Sequence, residues 1–302
     1  MVSIVPTTGA QVVKTPQIVE EGYPTTAANY GVMPTSATFS AIGYNTQVEP
    51  SQNPDIQEIN AVGYEDVQSY VMGKQQDAAK LTYNPVDSNF IKRGMNSVNW
   101  TTPAGTVAET FQLLYSILMN NVENFITLGG CRINTLKLSL SAGQPLKVDA
   151  EIWGQLLKAP TTVAPPGTPV YATAVSGNPW NYSDGGTTPV TVGGANVPIT
   201  DIEADISRNL KRIHVLQQTD NIDLPPTNRL ITGKMTVVWA NATYMTALEA
   251  LTNQAMVWTL KTGTSTATFS NMVFRKLDSL TTDPKDPVYE KYDWSAQSVV
   301  VT

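Results

Sequence analysis

Two rows of carboxylates are the residues whose types and spacing could do chemistry here. Asp149 and Glu151 stand two apart in "KVDAEIW", and Asp201, Glu203 and Asp205 stand two apart in "TDIEADIS". In an extended chain successive side chains point to opposite faces, so the members of each row share one face. Paired carboxylates can serve as the acid and base of a glycosidase, with Glu151 or Glu203 as the working groups, or they can bind a cation. Neither row has a histidine or a clear glycine turn beside it. The plainer reading is a solvated strand face, because rows of charge usually face water.

Other chemistry has few residues to draw on. The 302 residues include one cysteine, Cys131, and one histidine, His214. A lone cysteine excludes a disulfide within the chain, and a Cys/His metal site needs more ligands than these. His214 lies in "NLKRIHVLQQ", which reads as a strand without a nucleophile motif. Cys131 sits next to apolar sequence and reads as a buried thiol. Neither GxxxxGK[ST] nor a GxGxxG following a strand is present, so no phosphate cradle is indicated. We expect no enzyme, no catalytic residue, no metal and no cofactor.

The charge balance narrows the partners. Net charge is −6 with a pI near 4.9, and no run of Lys or Arg exceeds two residues. A general nucleic-acid binder needs a basic patch, so that class is disfavoured. Charged residues make up only 15%, against about 25% in typical soluble proteins. A surface of Thr, Ser, Asn and Gln suits a protein that covers much of itself with partners. The N-terminal stretch lacks the basic start and long apolar core of a signal peptide, and no apolar run approaches about 18 residues. The expectation is synthesis in a cytosol without a membrane anchor.

The elements that must position the carboxylates are mainly β. Leu136, Leu138 and Leu140 alternate with polar residues. After "SAGQP", Leu146, Val148, Ala150 and Ile152 alternate with Lys147, Asp149 and Glu151, which predicts an antiparallel hairpin. Further alternation marks strands at 201–206 and 234–239, and a last hairpin turns at Gly263. "TVAETFQLLYSILMNNVENFITLGG" reads as one long helix. Thr106 and Glu109 form its capping box, Val107, Phe111, Leu114, Leu118, Val122 and Phe125 its apolar face, and Gly129–Gly130 its stop. "TYMTALEALTNQA" reads as a short helix. The expected fold is an antiparallel β-sandwich or barrel at 39–278 with one long flanking helix and one short helix. An extended N-terminal arm at 1–38 and a C-terminal arm at 279–302 flank it. Within it lie a long interaction loop at 77–105 and a Pro/Gly/Thr-rich insertion at 159–198.

Five blocks resemble, in order, the tail tube protein family of tailed phages and related viruses. They are "EEGYPTTAANYGVMPTSATFSAIGYNTQVEPSQNPDIQEINAVGYED", "VMGKQQDAAKLTYNPVDSNFIKRG", "LGGCRINTLKLSLSAGQPLKVDAEIWGQ", "DIEADISRNLKRI" and "RLITGKMTVVW". The resemblance covers most of residues 20–278 and weakens at 159–198. It implies a β domain of the tail-tube type in a structural virion protein. Hexameric rings would stack into a hollow tail tube through which viral DNA passes without specific binding. It implies assembly in the host cytoplasm, and contact with tape measure, terminator and, in some tails, sheath proteins. On this reading Asp149 and Glu151, or Asp201, Glu203 and Asp205, face the lumen, where an acidic lining repels phosphate. Phe90, Ile91, Met95, Trp100, Val299, Val300 and Val301 then form subunit or ring interfaces, unless they fold back onto the core. The alternative is a β-sandwich binding module on a virion surface. It would dock a receptor or glycan through Tyr171, Trp180 and Tyr182 of the insertion.

Overall fold

A computed structural model describes residues 12–13, 16–21, 30–35, 37, 39–59, 66–67, 69–95, 110–119, 122–166, 177–187, 189–216, 218–238, 246, 250–281 and 288–302. Among the described residues, seventeen strands follow in chain order. The first five are β1 (Val12–Val13), β2 (Gln17–Glu20), β3 (Ser40–Ala41), β4 (Tyr44–Ile59) and β5 (Ser69–Asn84). The helix α1 (Asn89–Met95) precedes β6 (Phe111–Met119), β7 (Val122–Ser141), β8 (Lys147–Gly154) and β9 (Leu156–Leu157). Then come β10 (Val190–Val192), β11 (Ala195–Asn196), β12 (Ile199–Ser207) and β13 (Leu230–Val238). The last four are β14 (Gln254–Lys261), β15 (Ser265–Thr281), β16 (Tyr289–Ala296) and β17 (Ser298–Val301).

All these pairings are antiparallel and join the strands into one connected sheet. Two long strands serve twice. The first half of β7 pairs with β6 and β9, and its second half with β8 and β12. The first half of β15 pairs with β14 and β17, and its second half with β16. Each changeover has a residue with positive φ at an irregularity of the ladder. Gly130 has φ 60° and Asn271 has φ 50°. A bulge that accommodates such a residue bends its strand. Gly130 also has no room for a side chain, since a Cβ would lie 2.8 Å from Gln155 Cβ. The sheet therefore bends twice into three sections. The central one runs β4-β5-β8-β7-β12-β13-β16-β15. It stays open, so the expected sandwich or barrel becomes a large bent antiparallel sheet.

The core lies against one face of the central section. Leu136, Leu138, Val148, Ile152, Ile202, Ile206 and Met235 are buried there with Phe269 and Trp258 of the β14–β15 section. Trp294 of β16 meets Phe269 edge-on at 5.1 Å. Helix α1 closes the core beside β7. Phe90 stacks edge-to-face on Tyr83 (5.5 Å) and Phe111 (5.7 Å). Gly94 lies so close to Leu136 that a Cβ would come within 2.8 Å of its Cδ2.

Several expectations are corrected here. The long helix is instead a hairpin of β6 and β7; its proposed capping box lies outside the described residues. "FQLLYSILM" is apolar at nearly every position, so a helical stripe fits it as well as a strand does. Tertiary pairing decides the matter. β6 is flanked by β1 and β2 on one side and β7 on the other. It is buried on both faces: Phe111 and Leu113 enter the main core, and Leu114 packs with Val19, Ala37 and Phe39. Val19 and Ala37 belong to the supposed N-terminal arm, which is thus built into the fold where it is described. The supposed C-terminal arm supplies β16 and β17. In the supposed loop 77–105, residues 77–84 complete β5 and 89–95 form α1. The short helix falls mostly outside the described residues; within them, Ala250 N–H donates to Thr246 C=O at 3.0 Å. The insertion is tied down where described, with Trp180 N–H bonded to Pro85 C=O and Leu146 N–H to Trp180 C=O, both 2.8 Å.

Candidate functional site

The register puts both carboxylate rows on one face of the central section, opposite the core, with β7 between them. Three rungs cross this face, and each places a lysine between two acids on the neighbouring strands. Lys80 stands between Glu49 and Glu151. Lys137 stands between Asp149 and Asp205. Lys234 stands between Glu203 and Asp293. Side chains directly opposite in adjacent strands lie about 4.5–5.5 Å apart at Cβ, and opposite charges there favour the pairing.

The ion pairs run both within and across these rungs: Lys234–Asp293 joins rung partners, whereas Lys137 pairs diagonally with Glu203 and Lys147 pairs with Asp149 on its own strand. Lys137 Nζ reaches Glu203 at 3.0 Å, Lys147 reaches Asp149 at 3.0 Å and Lys234 reaches Asp293 at 3.8 Å. Asp149 also accepts from Thr82 Oγ1 at 2.6 Å. Glu151 accepts from Asn134 Nδ2 (3.0 Å) and Trp153 Nε1 (2.8 Å). Asp201 accepts from Thr200 Oγ1 at 2.9 Å. The Glu203 hydrogen bond holds the Lys137 ammonium above its usual value. Partial burial pushes the Asp205 carboxyl up, opposed by Lys137. Two hollows lie on this face. One hollow is lined by Lys137, Asp201, Glu203, Asp205 and Lys291, and its neighbour by Gln47, Thr82, Ser139 and Lys147.

This arrangement is an interleaved charge lattice on a polar face with two hollows. Among the described residues no group of three or more His, Cys, Asp or Glu side chains is placed to hold a metal ion. Cys131 is fully buried, its thiol pushed up by burial and bonded to Leu128 C=O at 3.0 Å. His214 lies in the irregular segment between β12 and β13, not in a strand. Trp180 is fully buried and offers no sugar platform; Tyr182 is exposed, and Tyr171 lies outside the described residues.

The interface candidates divide between the two readings. Phe90, Ile91, Met95, Val299 and Val301 are buried in the chain's own core. Val300 is half-exposed, and Trp100 lies outside the described residues. The surfaces that remain uncovered are others. Among the described residues the outer halves of β4 and β5 pair as strands only with each other and form a ribbon projecting past β8, tied near its base by Gln75 N–H donating to Thr219 C=O at 3.0 Å. Ile56, Ile59, Tyr70 and Val71 are exposed on it. A free two-stranded ribbon is marginal in water. Pro50 and Pro54 within β4 were the available signal, since proline in a strand marks a sheet edge. A second surface is the tip of the segment 208–229, where Leu216 is 94% exposed. Its base is fixed by Arg212 stacked 4.3 Å above Trp153, and by Arg132 paired with Asp223 at 3.3 Å.

No helix among the described residues is long and apolar enough to cross a membrane. No match is found among curated proteins. The sequence profile of one family, described as phage tail tube protein, matches residues 6–296.

Proposed function

The chain belongs to the phage tail tube protein family, and from that premise we propose that its copies form rings of six that stack into a hollow tube. Viral DNA passes through the lumen, and the polar face carrying Asp149, Glu151, Asp201, Glu203 and Asp205 lines it. The chain is a structural component of the virion tail. Assembly takes place in the host cytoplasm, with tape measure, terminator and, in contractile tails, sheath proteins as further partners.

The observation that carries this reading is the open central section. Among the described residues, β4 pairs only with β5, and residues 273–281 of β15 pair only with β16. One sheet thus has two free edges at its opposite ends. Free edges are normally blunted or covered. An edge of one copy that meets a different edge of the next makes a head-to-tail contact, which closes into a ring when the rotation permits. The β4–β5 ribbon then reaches beyond its own subunit, where its exposed apolar side chains gain cover. Negative-stain electron microscopy over a concentration series tests the proposal. Hollow rings or tubes are expected. A monomer at every concentration, with purified tail-tip proteins added as initiator, overturns it.

A further inference from the structure

The three rungs explain why a face that meets DNA contains lysine at all. A purely acidic face sets like charges directly opposite one another across the strands, which destabilises the sheet. A lysine inside each rung removes that repulsion. It also introduces a group that binds phosphate, unless its neighbours prevent it.

We infer that the flanking carboxylates mask Lys80, Lys137 and Lys234, so that the face passes a polyanion without capturing it. This rests on the lumen reading above. A phosphate drawn to Lys137 meets Asp149 and Asp205 on either side, and must displace Glu203 from its 3.0 Å ion pair. Attraction to one ammonium therefore comes with repulsion from two or three carboxylates. Lys147 faces Ser139 across β7 and is held by one carboxylate of its own strand, Asp149, at 3.0 Å. The low affinity comes from the arrangement of charges, because the lysines are present in number and lie on the open side of the sheet.

The test uses the full-length chain and a short fluorescent double-stranded DNA. In one variant Asp149→Asn, Glu151→Gln, Glu203→Gln and Asp205→Asn are combined. The parent shows no anisotropy change. The variant binds, and its affinity falls with salt between about 50 and 200 mM with a log–log slope of about −1.8, or about −0.9 for each of Lys137 and Lys147, which lose their flanking carboxylates while Lys80 keeps Glu49 and Lys234 keeps Asp293. Adding Lys137→Gln and Lys147→Gln removes the new binding. Circular dichroism checks the fold, and Asp149→Asn with Asp205→Asn serves as a milder variant with a shallower slope. A folded variant as inert as the parent overturns the masking, and so does a parent that binds equally well. Microscopy of the same samples reads assembly separately. New DNA binding without rings keeps the masking and removes the tube, whereas rings without new DNA binding do the reverse.

Discussion

Phe90→Ala separates a core role for α1 from a role in contacts between copies. Phe90 is 2% exposed and meets Tyr83 and Phe111 edge-to-face at 5.5 and 5.7 Å. Truncating a buried phenylalanine costs about 3–5 kcal/mol. Aromatic pairs of this geometry are worth about 0.5–1.5 kcal/mol each beyond area. Part of that is already inside the first figure, so about 4 kcal/mol is the working value. Total stability of a folded chain is about 5–15 kcal/mol, so this one change removes a substantial share. With a urea slope of about 3 kcal/mol/M, the unfolding midpoint of the unassembled chain falls by about 1.3 M. Tryptophan fluorescence follows the transition, because Trp180, Trp258 and Trp294 are buried. Val300→Ala is the control: that side chain is 49% exposed, and a change of at most about 0.5 kcal/mol is expected at such a position. A Phe90→Ala midpoint within about 0.3 M of the parent, with assembly lost, would refute the core assignment and return α1 to the interface.

Gly233→Ala is expected to cost about 3 kcal/mol or more, read as a lowered melting temperature. Its Cβ would lie 2.2 Å from the Glu203 carbonyl oxygen and 2.2 Å from the buried Trp294 ring, and overpacking of this kind typically costs about 1–3 kcal/mol even where neighbours can move. Burial raises the carboxyls of Glu21 and Asp77 above their ordinary values, 4.5 and 3.8. The folded state thus holds more protons than the unfolded one in the window above those values, and the stability linked to these groups is lost as pH rises through the folded pKa. Acidifying from pH 7 into that window should raise the melting temperature of the parent, and Glu21→Gln should reduce the rise; a steeper fall for the parent than for the variant would reverse the sign of the argument. On the β4–β5 ribbon, Ile56→Ser with Tyr70→Ser should shift the stability of the unassembled chain by no more than about 0.5 kcal/mol each, yet abolish tubes in the microscope. Tubes of normal length would mean that the ribbon needs no neighbour.

Sequence legibility followed the range of the interactions. The β7–β8 hairpin was readable because Leu136, Leu138, Val148, Ala150 and Ile152 obey a period of two and the turn is local. Both acidic rows were visible, each on its own strand. Their union on one face was not, because β12 pairs with β7 about 60 residues earlier and only register brings Asp205 opposite Lys137. The lysines in the rungs look like ordinary solvated charge until that register is known. The β6 error has the opposite cause: a local pattern was clear, but it fitted two periods, and burial on both faces chose between them. Helix α1 was missed because it has only seven residues and five of them are buried, which leaves no amphipathic stripe. Its one local cue is Asp87, whose Oδ1 accepts from Asn89 N–H at 2.9 Å.

Strand β16 sits between β13 and β15, and its place sets a schedule for synthesis. A ribosome delivers β13 some fifty residues before β16, so a nascent chain holds a central section with a gap beside β13. Only when residues 289–296 have emerged can the last two strands of that section be zipped to the rest. Long-range pairing of this kind is slow to form. On the ring assembly proposed above, truncated chains would lack the far edge that a neighbouring copy grips, and a stalled product would drop out before it could cap a growing end.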